Sequence, residues 1–222
     1  MHFISRREWA FLALVFLYSF IPAVVGLVRL PELLGAPAII PPNPRAVIDP
    51  LPITLHILGS SVFCLVGAVQ FLASLRRYRP ALHRTLGRIV AAAGCVSALT
   101  GLWMTVAYAF PDALQGPLLY VARVTLSLSM VALIAWAVVA IRSRDVAAHR
   151  AAMLRAYALG QGASTQTALF LVTMGLFDTE PLGFSRDVLM VGAWAINLAI
   201  AEFLIRRAFA TRTSRAVISS RL

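Results

Sequence analysis

Apolar residues in this chain run in long, nearly unbroken blocks, and the polar residues are gathered between the blocks. Six blocks of about 18 or more mostly apolar residues stand out. They cover 9–28, 53–75, 89–110, 118–141, 156–177 and 188–205. A helix of such length matches a hydrocarbon core of about 30 Å at its rise of about 1.5 Å per residue. In lipid, a helix also satisfies its own backbone groups, which an isolated strand cannot do. The pattern therefore predicts an all-α polytopic membrane protein with six transmembrane helices, forming a single membrane domain over 1–222. The first block is long and is followed by no clear small-x-small cleavage site, so it reads as a retained anchor rather than a signal peptide. The proline-rich connector Arg29–Pro52 is expected to be extended. The residues after Arg207, 208–222, read as a basic, flexible tail.

Charge sets the orientation. Of 222 residues, 60% are hydrophobic and 13% charged, and the net charge is +11. Every cation is an arginine. All but four of the 20 arginines lie in the first polar segment, in alternate connectors or in the tail. The exceptions are Arg29, Arg45, Arg123 and Arg186, on the side that also collects Glu32, Asp49, Asp112, Asp178, Glu180 and Asp187. The positive-inside rule then places both termini in the cytoplasm, in a cell's inner (cytoplasmic) membrane. Because the charge lies in strips between apolar blocks, the partner it predicts is anionic lipid and not nucleic acid. A second copy of the chain or another membrane protein is a further candidate partner. Cys64 and Cys95 fall inside apolar blocks with no metal or disulfide spacing and read as small packing residues.

Two polar segments repeat. "ALHRTLGR" (Ala81–Arg88) and "AHRAAMLR" (Ala148–Arg155) each follow an even-numbered block and precede the next odd-numbered one. Spans 2–3 and 4–5 thus read as two copies of one hairpin, a parallel repeat. Pro80 suits a first helical turn, and Ser143 or Asp145 an N-cap. Each segment opens a helix whose free N–H groups, with Arg84 and Arg88 or Arg150 and Arg155 beside them, favour an anion such as a lipid headgroup. The same surroundings favour neutral imidazoles at His83 and His149. The alternative reading is therefore a small b-type haem or quinone-linked redox protein with those two histidines as axial ligands.

The blocks carry a few polar residues. Gln70, Gln161, Gln166 and Asn197 can hydrogen-bond between helices. Glu202 can pair with Arg206, four residues on, or with an arginine of the connectors. Arg123, with Asp112 or Asp178 as a partner, and His56 would mark an outward-facing cavity. With the small, polar stretch Ala158–Ala168 they support a second alternative, a small-solute permease. No phosphate-binding glycine loop, nucleophile elbow or H-E-x-x-H is present. No catalytic residue and no metal site is assigned, and the reading leans away from an enzyme.

His56, "GAVQF" (Gly67–Phe71), Arg76, "HRTLGR" (His83–Arg88), "HRAAMLRAYAL" (His149–Leu159) and "NLAIAEFLIRR" (Asn197–Arg207) together resemble domain-of-unknown-function family 2306. This is an uncharacterised family of predicted membrane proteins. The resemblance runs from about His56 to Arg207. Ala152 departs from it, since that family usually has tryptophan there as an interfacial anchor. The resemblance implies a helical multi-span fold and brings no activity. The leading expectation is a multipass inner-membrane protein whose cytoplasmic His-Arg helix starts bind anionic lipid or another anion.

Overall fold

The structure, a computed structural model, describes residues 4–219, with side chains through 208. The flexibility expected of the tail 208–222 therefore falls largely outside the described side chains. Among the described residues every regular element is helical. In chain order these are α1 (Arg6–Leu33), α2 (Pro44–Ile48) and α3 (Pro50–Ser61), which continues through a π-helical turn at Val62–Val66 into the single turn α4 (Gly67–Val69). Then come α5 (Ala73–Tyr78), α6 (Pro80–Ala107), α7 (Pro117–Arg142), α8 (Val146–Gly160), α9 (Gly162–Phe177) and α10 (Phe184–Ser219).

Five of the helical runs are long and apolar enough to cross a membrane: Arg6–Leu33, Pro50–Val69, Pro80–Ala107, Pro117–Arg142 and Phe184–Ala208. The block at 156–177 is different. It is divided at Gln161 between α8, of 15 residues, and α9, of 16. The flanking glycines explain why a break is favourable there. A Cβ at residue 160 would stand 2.6 Å from the Phe63 ring, and one at residue 162 would stand 2.0 Å from the Trp194 indole nitrogen. Bare backbone at the break lets both rings pack against it.

Helices also reach further into the connectors than the apolar blocks do. Pro50, Pro80 and Pro117 each occupy a first helical position, where the missing N–H is no loss and φ is already helical. The Arg29–Pro52 connector is not extended throughout: α1 persists to Leu33, α2 occupies 44–48, α3 begins at Pro50, and only 34–43 and Asp49 are non-helical. Arg29 pins this stretch by pairing with Glu32 and donating to the Pro41 carbonyl, both at 2.9 Å. At other ends, Ser5 and Glu8 form a capping box that opens α1. Asp145, rather than Ser143, caps α8 by accepting from the Ala148 N–H at 2.9 Å.

Packing follows the chain. α3 lies along α6, α6 along α7, α7 along α8, and α10 closes the bundle against α7, α8 and α9. Phe63, fully buried, fills the centre between Gly94 of α6 and Gly160 of α8. α1 is peripheral: among its residues only Leu12, Ser19 and Glu32 are buried. Trp9, Leu14, Leu17 and Phe20 are open, a surface that water would penalise and lipid covers.

Candidate functional site

Polar side chains collect in two regions, one toward each end of the bundle. The first is at the arginine-rich end formed by α5, the start of α6 and the turn between α7 and α8. A groove of about 230 Å³ lies there, floored by Phe71, Leu154, Leu204 and Ile205, with Arg76 and Arg150 on its walls. Arg76 donates to the Gln70 carbonyl at 3.0 Å. Burial, and then the charge of Arg150, push the Arg76 pKa below its ordinary value, and Glu8 acts in the opposite direction. Arg150 makes no hydrogen bond or ion pair among the described residues. Two cations thus share one apolar recess without a carboxylate between them.

The His-Arg segments meet at this end, but not as one cluster. His149 donates from Nδ1 to the Ala137 carbonyl at 2.9 Å, tying α8 to α7. His83 lies in the field of Arg76, His149 and Arg84, and its buried Nδ1 has no partner among the described residues. Gln70 Nε2 is likewise buried without a partner. Arg84 and Arg88 are exposed on α6, away from the groove. Arg155 is drawn off by Glu202: its Nε and a terminal nitrogen grip both carboxylate oxygens, the second at 3.0 Å. At 35% and 37% exposure this pair contributes at most about 1 kcal/mol. Among the described residues no three histidine, cysteine or acidic side chains gather as a metal site. Neither His83 nor His149 lines the groove or the larger cavity described next, so neither space supplies a porphyrin slot between them.

The second region is a cavity of about 400 Å³ toward the opposite end, enclosed by α1, α3, α6, α7, the end of α8, α9 and α10. It brings together His56 of α3, Arg123 of α7 and Gln166 of α9. His56 donates from Nδ1 to the Ser97 carbonyl at 2.8 Å. Arg123 donates to the Gln115 side-chain oxygen and stacks over the Phe110 ring at 5.2 Å. Neither Asp112 nor Asp178 pairs with it. Asp187, the buried acid nearby, instead accepts from the Gly116 and Leu119 N–H groups at 3.1 Å each and so caps α7.

The remaining polar residues join helices. Gln161 accepts from the Ser19 and Ser164 hydroxyls at 3.0 and 2.9 Å and donates to the Tyr157 hydroxyl at 2.9 Å. Tyr157 in turn donates to the Cys64 carbonyl at 2.6 Å, linking α8 to the π-helical turn after α3. Asn197 accepts from Thr165 at 2.6 Å and donates to the Ala158 carbonyl at 3.1 Å. Gln166 donates to the Met190 carbonyl at 3.2 Å. Sequence reasoning missed the cap made by Asp187 and the pairing of Arg76 with Arg150. Both join residues about 70 positions apart, and no local spacing signals them.

A bundle of membrane-length apolar helices, with its charge held at helix ends and in two recesses, defines a polytopic helical membrane protein. Residues 53–205 match the model of the family described as "Predicted membrane protein (DUF2306)", and the chain belongs to that family. No curated protein and no solved structure matches the chain.

Proposed function

We propose that this protein is a six-span inner-membrane protein with both termini in the cytoplasm, whose groove between α5, α8 and α10 holds the phosphate of an anionic lipid. The observation that carries this reading is the pair Arg76 and Arg150 on one apolar-floored groove. Two adjacent guanidinium groups repel, and a phosphate between them relieves the repulsion while accepting their N–H groups. The floor of Phe71, Leu154, Leu204 and Ile205 suits an acyl chain, which favours a lipid over a free ion. On this reading α8 and α9 together make the fifth span, bent at Gln161. The hairpins α3–α6 and α7–α9 make the parallel repeat; each opens on a proline, Pro50 or Pro117.

The lipid is tested by thermal unfolding of detergent-purified protein with added phosphatidylglycerol or phosphatidylcholine. Phosphatidylglycerol should raise the unfolding temperature more, and Arg76→Gln with Arg150→Gln should abolish the difference. Arg84→Gln with Arg88→Gln should leave it intact. Equal stabilisation by both lipids, or an undiminished difference in the Arg76/Arg150 variant, overturns the reading.

Topology is tested separately, with Cys64 and Cys95 replaced and single cysteines introduced as Asp112→Cys or Ser143→Cys. A membrane-impermeant maleimide applied to intact spheroplasts should label only the first. Labelling of the second alone would invert the orientation.

A further inference from the structure

The cavity containing His56 and Arg123 is independent of the lipid groove. Arg123 stands six residues after Pro117, and His56 six residues after Pro50, so each lies about 9 Å along its helix at the helical rise. A guanidinium at such a depth is unfavourable without a counter-charge. Among the described residues no carboxylate pairs directly with Arg123: Gln115 offers a neutral oxygen, Phe110 a ring face, and Asp187 acts on it only through its field, against that of Arg186. Several carboxylates at this end are engaged elsewhere. Asp187 caps α7, Glu32 pairs with Arg29 at 2.9 Å, and Glu180 pairs with Arg186 at 2.8 Å. Of the five N–H groups of Arg123, the protein uses one.

His56 supplies the second polar feature. The Ser97 carbonyl can only accept, so Nδ1 carries a proton, and Nε2 has no protein partner among the described residues. Gly101 leaves room for the ring, since a Cβ there would lie 3.3 Å from His56 Cε1. Much of the wall is apolar, with Met104, Leu126, Met130 and Trp194. The volume of about 400 Å³ falls within the range of about 300–1,000 Å³ usual for small-molecule sites. A lone halide would leave most of this apolar space unfilled. A multiply charged phosphate would exceed the single positive charge that Arg123 provides.

We infer that the cavity binds a small organic monocarboxylate: its carboxylate on Arg123, its apolar body against the methionine and tryptophan wall, and any hydroxyl or N–H group on His56 Nε2. The fork of the guanidinium fits a carboxylate edge-on, which a lysine could not reproduce.

The test is equilibrium binding of labelled benzoate to the full-length protein in detergent. Benzoate carries the required charge and a rigid apolar ring, and benzamide has the same shape without the charge. Benzoate should bind saturably, with benzamide at least tenfold weaker as a competitor and inorganic phosphate ineffective. Arg123→Gln should weaken benzoate binding at least tenfold. Ser127→Leu, which fills the cavity beside His56 and leaves Arg123 in place, should do the same. The Arg76/Arg150 double variant should bind benzoate as the wild type does, which separates this site from the lipid groove. No saturable binding to monodisperse wild type, equal competition by benzamide, displacement by phosphate, or full binding in Ser127→Leu would each overturn the inference. If Arg123→Gln does not fold, the benzamide comparison and Ser127→Leu decide.

Discussion

Asp187→Ala is expected to lower the stability of the detergent-purified protein by about 2–4 kcal/mol, because it orphans two buried N–H groups at about 1–3 kcal/mol each. Asp187 is 1% exposed, and its two oxygens accept from the Gly116 and Leu119 N–H groups at the start of α7. A helix leaves its first N–H groups without internal partners and carries partial positive charge there, so a carboxylate is the best-suited cap. Removing it also removes a buried charge that must itself be desolvated, and this keeps the net loss below the sum of the upper limits. For a chain of this size the loss corresponds to a fall of roughly 4–16 °C in unfolding temperature. Asp187→Asn, which retains one good acceptor oxygen, should lose about half as much. A thermal melt of Asp187→Ala within about 2 °C of the wild type would show that α7 finds its cap elsewhere. Gly116→Ala should act in the same direction, since a Cβ there would stand 2.5 Å from the Asp187 carboxylate.

Phe63→Ala should cost about 3 kcal/mol, the lower end of the usual range for deleting a buried phenylalanine. The low figure follows from the solvent. In a bilayer the transfer part of the cost shrinks, because lipid is as apolar as the core, while the lost packing contacts remain. Phe63 is fully buried, with its ring against Gly94 and Gly160 and 5.8 Å from the Tyr157 ring. The mechanism makes a second demand. Gly160→Ala should destabilise the wild type, where its Cβ would stand 2.6 Å from the ring, but should be nearly neutral in Phe63→Ala. That non-additivity is read from the two single variants and the double variant. Additive losses would mean that the glycine serves the break at Gln161 and not the ring.

Much of the architecture is legible along the chain because the bilayer acts locally. An apolar block either is or is not long enough to cross, and five of the six blocks correspond to helical runs of membrane length. Helix starts at Pro50, Pro80 and Pro117 are equally local, since proline fixes its own φ and lacks an N–H. The fifth block, 156–177, is divided at Gln161 for a physical reason. Hydropathy does not register that Gly160 and Gly162 let Phe63 and Trp194 press against the backbone and divide the helix. The arginines show the same limit. Their number and their clustering between the apolar blocks are readable from the sequence, but their partners are not. Arg155 is taken by Glu202, Arg84 and Arg88 stay exposed, and Arg76 joins Arg150.

By itself, then, the sequence determined that this is a multi-span helical membrane protein, which polar residues its helices must accommodate, and where its arginines cluster. Those properties depend on each residue's transfer between water and lipid, a quantity summed over neighbours in the chain. Only the tertiary structure decided that Asp187 caps a helix from about 70 residues away, that Arg76 and Arg150 share a groove, and that His56 and Arg123 face one cavity. These pairings depend on which helix faces which. Small residues and single hydrogen bonds choose among many packings that hydrophobicity leaves nearly equal.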